Sequence, residues 1–314
     1  MSEPLTPPTL PELRHGLLLV DKEPGWTSHD VVQKVRRLLR EKKVGHCGTL
    51  DPSATGLLIM TVGRATRLTR FLIRAPKAYE GTLRLGAATD TYDAEGTVTA
   101  ERPIDGISFE AVRETMVAVE GTFEQTPPPY SAKKVKGRKL YELARRGEEV
   151  EVEAKTVTVF EFKPTSELLE GSLAFRLACS SGTYARTLVH ELGQTLGCGA
   201  HLSSLRRTTI GPFQLPQART LGALAQLLEN GGELAGVWHP FDDIPLPFEE
   251  TMLDAQQEQR IEHGQTVLVR DLAGAEGDWV KLVNRRRQFI AVGTVVERIG
   301  SAGVGVVQPK VVFK

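Results

Sequence analysis

Residues 42–56 read Lys-Lys-Val-Gly-His-Cys-Gly-Thr-Leu-Asp-Pro-Ser-Ala-Thr-Gly, and this is the most informative loop in the chain. Its glycines permit tight turns and a close approach of the backbone to a ligand. Asp51 is its only carboxylate, and no other Asp or Glu occurs between Glu41 and Glu80. A lone carboxylate in a basic loop suits covalent or electrostatic catalysis at the base or sugar of a polyanion. Taken alone, the loop is more commonly a surface Asp-Pro turn.

Five segments around this loop have the patterns of β-strands. Gly16–Asp21 and Leu57–Val62 are short apolar runs typical of buried strands, whereas Tyr79–Leu85 alternates between its two faces. Lys155–Phe162 and Leu173–Cys179 also alternate. These two segments predict a hairpin of sheet strands.

Helices are predicted between several of these strands. One extends through Arg40, is capped by Thr27 or Ser28, and carries its Val and Leu side chains on one face. Residues 64–74 fit a short basic helix. The run Ser180–Thr183 is expected to cap a further helix, whose inward side chains are Leu188, Val189, Leu192 and Leu196. Because strands and helices alternate without strict βαβ order, the sequence predicts an α+β fold.

The two ends of the chain differ from its middle in amino-acid composition. Residues 1–13 contain four prolines without periodicity and are predicted to form a flexible arm. The segment Pro240–Pro247 is the best candidate linker, and residues 251–314 beyond it are rich in Val and Gly. This composition predicts a small β-barrel-like module at the C-terminal end.

The composition is that of a globular protein. Of 314 residues, 40% are hydrophobic and 25% are charged, which excludes wholesale disorder, collagen and coiled coil. The apolar run Leu17–Val20 is too short for a signal peptide or a membrane span, so no membrane association is expected. Three cysteines without a CxxC pair argue against disulfides or a thiolate zinc site and predict a reducing, cytoplasmic location.

The 39 basic and 39 acidic residues give no net charge, but they are unevenly distributed. Residues 14–74 hold twelve basic and five acidic residues, and residues 133–146 hold seven basic and one acidic. Residues 220–264 reverse the balance, with one basic and nine acidic residues. The two basic blocks can place a positive face against phosphates, although any single block is more often a solvated helix face.

Sequence motifs for cofactors are missing. The chain has neither the GxGxxG fingerprint nor a P-loop, the usual backbone cradles for nucleotide phosphates. His190-Glu191 begins like the zinc-protease HExxH motif, but Gln194 replaces the second histidine. No nucleotide cofactor and no metal are therefore predicted.

Four segments, in this order along the chain, resemble motifs of the TruB family of bacterial tRNA pseudouridine-55 synthases. They are Gly16–Ser28, which contains Asp-Lys-Glu-Pro-Gly-Trp-Thr-Ser, Gly45–Gly56, which contains Gly-His-Cys-Gly-Thr-Leu-Asp-Pro, Gln125–Arg145, which begins Gln-Thr-Pro-Pro-Pro-Tyr-Ser-Ala, and Ser181–Arg186. The departures from the family pattern, at Cys47, Arg67 and Lys133, do not touch the expected chemistry.

The resemblance implies isomerisation of one uridine, position 55 in the T-loop of tRNA, to pseudouridine without a cofactor. The glycosidic N–C bond breaks, the uracil rotates, and a C–C bond forms to the same sugar. The implied architecture is a catalytic domain over residues 14–245 with a mixed, mostly antiparallel sheet flanked by helices. It includes an insertion at about 124–152 that clamps the T-arm stem-loop, and a PUA-like RNA-binding module follows over 251–314. One asymmetric RNA site needs no symmetry mate, so a monomer is expected.

The resemblance also assigns roles to residues. Asp51 matches the essential aspartate, and whether it attacks the sugar, attacks the base or assists elimination stays open. Tyr79 matches the tyrosine that stacks on the extruded base, and Arg186 matches the arginine whose pairing would lower the pKa of Asp51. Tyr184 and Leu205 match residues that line the uracil pocket. Without the resemblance, the two tyrosines and Leu205 would be assigned to the core, and Arg186 to a helix surface.

Three further residues are candidates for substrate contacts. His46 matches the histidine that contacts the RNA and helps to hold the target nucleotide extruded. Asp93 is a weaker candidate for contacts near the base, because acidic turn residues are common. Lys22 is expected either to contact a phosphate or to brace the loop.

Three other classes of function compete with this prediction. A non-catalytic RNA-binding protein or tRNA chaperone explains the charge blocks but leaves Asp51, Tyr79 and Arg186 without a role. A glycosidase needs two carboxylates around the scissile bond, and the loop holds only one. A methyltransferase lacks its glycine-rich cofactor loop in this sequence.

Overall fold

The computed structural model describes residues 14–128, 130, 134–135, 138–139, 152–300 and 303–313. The described strands are β1 (Gly16–Lys22), β2 (Val44–His46), β3 (Thr55–Val62), β4 (Lys77–Leu85), β5 (Ala87–Thr89), β6 (Val98–Glu101), β7 (Gly121–Gln125), β8 (Lys134–Val135), β9 (Arg138–Lys139), β10 (Lys155–Pro164), β11 (Ser172–Cys179), β12 (Ala200–Ile210), β13 (Phe213–Gln214), β14 (Trp238–Pro240), β15 (Glu249–Leu253), β16 (Val267–Val269), β17 (Trp279–Asn284), β18 (Phe289–Ile299) and β19 (Val304–Val312). The described α-helices are α1 (Ser28–Leu39), α2 (Thr69–Leu72), α3 (Phe109–Ala118), α4 (Ala185–Thr195), α5 (Leu221–Glu229) and α6 (Ala255–Glu262). The predicted arm 1–13 and much of the predicted insertion lie outside the described residues.

A central sheet of ten strands forms the body of the protein. Its order is β14-β1-β3-β12-β4-β11-β10-β7, with β2 added to β3 and β13 added to β12. Neighbouring strands are antiparallel except β3 and β12, which are parallel. The predicted α+β class and mostly antiparallel sheet are confirmed, as is the hairpin of β10 and β11. Because β12 lies between β3 and β4, the loop that precedes β3 is held beside the middle of the sheet.

Helix α1 begins and ends where its sequence predicts. The Thr27 side chain accepts a hydrogen bond from the Asp30 amide, and the Asp30 carboxylate accepts one from the Thr27 amide, which completes a capping box. Arg40 takes the left-handed conformation just after the last turn. The apolar face of α1, which includes Val31 and Val35, is buried against β1 and β3.

Two helix predictions differ from the structure in detail. Residues 64–74 do not form one helix: a 3-10 helix over Gly63–Leu68 leads into the single α-helical turn α2. The residues Ser180–Thr183 do not supply the N-cap of α4, which is Tyr184 and has no side-chain cap. Instead the Ser180 hydroxyl accepts a hydrogen bond from Thr158 N at 2.8 Å, so this polar run ties α4 to strand β10.

The C-terminal residues form a second sheet in the order β15-β17-β18-β19-β16. It curls into a half-barrel, consistent with the predicted PUA-like module. The segment Pro240–Pro247 is not a free linker, because Phe241 and Ile244 within it are buried. The Phe241 ring stacks on Phe289 and meets Phe313 edge-on, with centroids 5.1 and 4.8 Å apart. The central sheet and the half-barrel therefore share one apolar core at this junction.

None of the described helices has the length and apolar character needed to cross a membrane.

Candidate active site

The loop between β2 and β3 borders a pocket of about 460 Å³. Residues from β4, β10 and β12, from the segment just after α2, and from the start of α4 with the turn before it complete its wall. Of the eight residues singled out from the sequence, five line this pocket: Asp51, Tyr79, Tyr184, Arg186 and Leu205. Tyr184 and Leu205 are half-buried, so they face the pocket instead of lying in the closed core that their residue types alone would indicate.

Arg186 joins two carboxylates from different parts of the chain. Its Nη2 lies 3.4 Å from Asp51 Oδ2, and its Nη1 lies 3.3 Å from Asp93 Oδ2. Its Nη1 also donates to the Thr91 carbonyl at 3.3 Å, and its Nη2 donates to the Tyr130 carbonyl at 2.7 Å. The Arg186 side chain is 6% exposed and that of Asp51 is 45% exposed. The buried guanidinium therefore fixes a carboxylate that remains open to the pocket.

The pKa of Asp51 lies above its ordinary value, although the predicted lowering effect of Arg186 is present. Desolvation is the largest cause, because the pocket surrounds this carboxylate, although it is 45% exposed, and a low dielectric disfavours the charged form. The positive charges of Arg186 and Lys22 lower the pKa, whereas the negative charge of Asp93 raises it. The predicted pairing with Arg186 is present, but it offsets the effect of burial only in part.

Asp93 lies beside the pocket, not in its wall. Its Oδ1 accepts hydrogen bonds from the Thr91 hydroxyl at 2.6 Å and from the Glu95 amide at 3.1 Å, so the turn holds its side chain rigidly. Its Oδ2 is the atom that contacts Arg186. In this arrangement Asp93 orients Arg186. The predicted contact of Asp93 with the base remains a prediction.

Lys22 is fully buried at the end of β1. Its Nζ donates to the carbonyls of Trp26 at 2.7 Å, Pro52 at 3.0 Å and Glu23 at 3.1 Å. Burial lowers the pKa of its ammonium to about 8, although the Asp51 charge raises it. Of its two predicted roles, the geometry fits the brace: Lys22 ties the turn after β1 to the residue next to Asp51.

His46 ends β2, where it lies opposite Met60 of β3, and it does not line the pocket. Burial lowers the pKa of its imidazole, and the Arg207 charge lowers it further. Its Nδ1 is buried without a hydrogen-bond partner among the described residues. His46 therefore favours the neutral form, and its contact with RNA remains a prediction.

Arg207 is a residue of the site that the sequence analysis missed. It lies in β12 opposite Tyr79 of β4, is 1% exposed, and lines the pocket. Its Nε donates to the Leu57 carbonyl at 2.8 Å, and its Nη2 donates to the Gly48 carbonyl at 3.1 Å. Burial raises the pKa of the Tyr79 phenol, and the charge of the neighbouring Arg207 lowers it in part. A buried cation in a central strand has no distinctive local pattern, since Arg206 beside it is half-exposed and looks the same in sequence.

Positive charge dominates the pocket wall. Asp51 is its only carboxylate among the described residues, and the cationic side chains in the wall are Arg74, Lys77, Lys155, Arg186 and Arg207. Arg74 and Lys155 are exposed at the pocket, whereas Lys77 is buried and donates to the carbonyls of Ile73 and Ala75. Such a wall attracts an anionic substrate and leaves a single carboxylate to act on it. Among the described residues, no cluster of His, Cys, Asp or Glu could hold a metal ion.

Matches to three protein-family models together cover residues 36–313 without a gap. Residues 36–185 match the N-terminal domain of the TruB family of pseudouridylate synthases. Residues 186–251 match the C-terminal domain of tRNA pseudouridylate synthase B, and residues 250–313 match the C-terminal region of pseudouridine synthase II TruB.

Curated relatives align with this chain over most of their own length. A tRNA pseudouridine synthase B from Solibacter usitatus is 43% identical over 283 residues, which are 90% of this chain and 96% of that protein. The enzyme of the same name from Opitutus terrae is 49% identical over 212 residues, covering 68% of this chain and 88% of the relative. Among solved structures, a chain of a Cbf5-Nop10-Gar1 complex has a TM-score of 0.74 and 26% identity, with 97% of this chain and 87% of that one covered.

The family matches and the curated relatives define the chain as a pseudouridine synthase, an isomerase. The chain belongs to the TruB family, and the two relatives named above are tRNA pseudouridine synthases.

Proposed function

We propose that this enzyme converts uridine 55 in the T-loop of tRNA to pseudouridine, with Asp51 as the essential carboxylate. The observation that carries the proposal is the geometry around Asp51. It is the only described carboxylate in the pocket wall, its Oδ2 is held 3.4 Å from Arg186 Nη2, and its side chain is nearly half exposed. A polyanionic substrate could therefore reach this carboxylate without displacing the arginine.

The reaction first separates the uracil from its ribose and then joins the two again, and one carboxylate is needed to assist it. The N1–C1′ bond breaks, the uracil turns within the pocket, C5 bonds to C1′, and the C5 proton is finally transferred to N1. Asp51 can attack C1′, attack the uracil ring, or remove a sugar proton during elimination, and each route needs its ionised form. The positive charges of Arg186 and Lys22 favour that form against the effect of burial.

Tyr79 is the proposed stacking partner of the extruded uracil. It is 8% exposed, lines the pocket and belongs to β4. Extruding a base costs a few kcal/mol, least in a loop, and stacking on an aromatic ring returns about 1–3 kcal/mol. Tyr79 pairs with Arg207 of β12 in the sheet, and this pairing sets its place in the pocket wall. Tyr184 and Leu205 supply further pocket walls.

The remaining binding energy is assigned to phosphate contacts. Arg74 and Lys155 are exposed cations in the pocket wall, and the wider basic blocks of residues 14–74 and 133–146 extend the positive charge. Recognition of a stem-loop by shape and backbone fits such a distribution. We assign the catalytic work to residues 14–245 and added RNA affinity to residues 251–314. We further propose that the enzyme works as a monomer in the cytoplasm.

The direct test uses tRNA transcripts. Pseudouridine formation leaves the RNA mass unchanged, so the product is mapped by carbodiimide labelling and primer extension. The proposal predicts one new stop at position 55 of the T-loop and none in a transcript whose uridine 55 is replaced by cytidine. Modification at another position would overturn the assignment of the target. RNA binding without any modification would instead support a non-catalytic chaperone.

A further inference from the structure

The motif that starts at Gln125 has no role in the chemistry above, although it reaches the site. Gln125 ends β7 and is 2% exposed. Its Oε1 accepts a hydrogen bond from Tyr184 N at 2.8 Å, and its Nε2 donates to Tyr184 O at 3.2 Å. One side-chain amide thus satisfies both backbone groups of Tyr184, as a neighbouring strand would.

Tyr184 is the residue at which α4 begins. It has no side-chain cap of its own, and its carbonyl already accepts from Thr187 N at 3.1 Å and Leu188 N at 3.3 Å. The groups at a buried helix terminus need partners, and their position is set by whatever supplies them. Gln125 therefore fixes where the first turn of α4 lies.

Arg186 lies in the first turn of α4. Its guanidinium makes the second contact with the motif that starts at Gln125, after the contact at Tyr184. Its Nη2 donates to the Tyr130 carbonyl at 2.7 Å, and the same nitrogen lies 3.4 Å from Asp51 Oδ2. The stretch from Gln125 to Tyr130 thus holds the arginine at two points, through the backbone of Tyr184 and directly at the guanidinium. Both points lie at the start of the predicted RNA-clamping insertion.

We propose that Gln125 is a positioning residue, which holds the first turn of α4 so that Arg186 presents Asp51 to the substrate. The inference rests on the proposed role of Asp51. A reacting group displaced by about 1 Å can lose about 100-fold in rate. A residue that does not touch the substrate can therefore govern the chemical step. Because Gln125 is buried, this effect is expected without any loss of contact to RNA.

The first test compares Gln125→Met with wild type under single-turnover conditions. Methionine keeps the length of the side chain but removes both hydrogen bonds to Tyr184. The expected result is a rate constant at least tenfold lower, with the Kd for tRNA changed less than threefold. Gln217→Met is the control, because Gln217 also bonds a backbone amide, that of Gln214 at 2.8 Å, away from the pocket. It is expected to keep the wild-type rate within twofold.

The pH dependence separates positioning from a merely structural role. Three charged groups act on the pKa of Asp51: Arg186 from α4, Asp93 from the turn after β5 and Lys22 from β1. The Asp51 charge in turn raises the pKa of Tyr79 in β4. A loosened Arg186 lowers the pKa of Asp51 less. The acidic limb of the rate should then move to higher pH in Gln125→Met, whereas partial unfolding would lower the rate equally at every pH.

Gln125→Glu provides a second variant in case the methionine does not fold. Its side chain still accepts from Tyr184 N, but an ionised carboxylate at this buried position cannot donate to Tyr184 O and repels it, so a loss of rate is expected here too. A wild-type rate and an unmoved acidic limb in either folded variant would overturn the inference, as would weaker tRNA binding with an unchanged rate. Asp51→Asn is measured beside them: if it is active, the proposed function fails, and if it alone is inactive, only the role of Gln125 fails.

Discussion

Replacing Arg186 with methionine removes the charge that links Asp51 to Asp93. The Arg186–Asp93 pair is buried, with side chains 6% and 10% exposed. Removing one partner of such a pair costs about 3–5 kcal/mol, because the other charge stays buried. Asp93 keeps its hydrogen bonds from the Thr91 hydroxyl and the Glu95 amide. We therefore expect the free energy of unfolding to fall by about 3 kcal/mol, the lower end of this range, in urea titrations.

The effect of Arg186→Met on activity follows from the sign of the charge that is lost. Burial and Asp93 raise the pKa of Asp51, and Arg186 opposes them. Without the arginine the pKa of Asp51 rises further, so its ionised fraction, and with it the single-turnover rate, should recover only at higher pH. Arg186→Lys keeps the charge but cannot span both carboxylates, so it should move the acidic limb less. A folded Arg186→Met enzyme with a wild-type rate and acidic limb would refute this reasoning.

Three further predictions address the core, the loop brace and the pocket rim. Phe289→Ala, which removes the ring packed on Phe241 and Phe313, should lower the free energy of unfolding by about 3–5 kcal/mol in one urea transition; a separate early transition of the half-barrel would contradict the shared core. Burial lowers the pKa of Lys22 to about 8 from 10.5, so the folded state holds fewer protons than the unfolded state between these values. The stability of wild type relative to Lys22→Met should therefore rise with pH from about 8 towards 10.5, and a constant difference would argue against the buried ammonium. Arg74→Gln should weaken tRNA binding and reduce the slope of log K against log salt by about 1, whereas an unchanged slope would remove Arg74 from the phosphate contacts.

Local patterns predicted five strands of the central sheet and helix α1, but they did not predict β12, which lies in the middle of that sheet. The apolar run at β1 and the alternation in β4, β10 and β11 reflect burial on one or both faces, which residue type records directly. The capping box at Thr27 is also a local signal, because its two partners lie three residues apart. The junction at Pro240–Pro247 was predicted as a linker because its prolines are visible in sequence, whereas the partners of Phe241, such as Phe289, lie far along the chain.

The site was predictable only where a family motif marks it. Asp51, Tyr79 and Arg186 come together in the pocket, yet their own neighbourhoods in sequence would assign a turn, a core strand and a helix surface. The lowering effect of Arg186 on the pKa of Asp51 was predicted from a motif, whereas the larger opposite effect of desolvation was not, because a motif does not show burial. Arg207 was missed for the same reason: its hydrogen bonds to Leu57 and Gly48 arise only when β12 is placed beside β3.

The most direct test of the account is the single-turnover activity of Asp51→Asn on a tRNA transcript. The substitution keeps the size of the side chain and removes its charge and nucleophilic oxygen. Asp105→Asn, at an exposed position in the loop before α3, serves as the control and should remain fully active. The account predicts no pseudouridine at position 55, with tRNA affinity changed by less than about tenfold, or about 1.4 kcal/mol, because phosphate contacts supply most of the binding. A folded Asp51→Asn enzyme with activity within tenfold of wild type would contradict it.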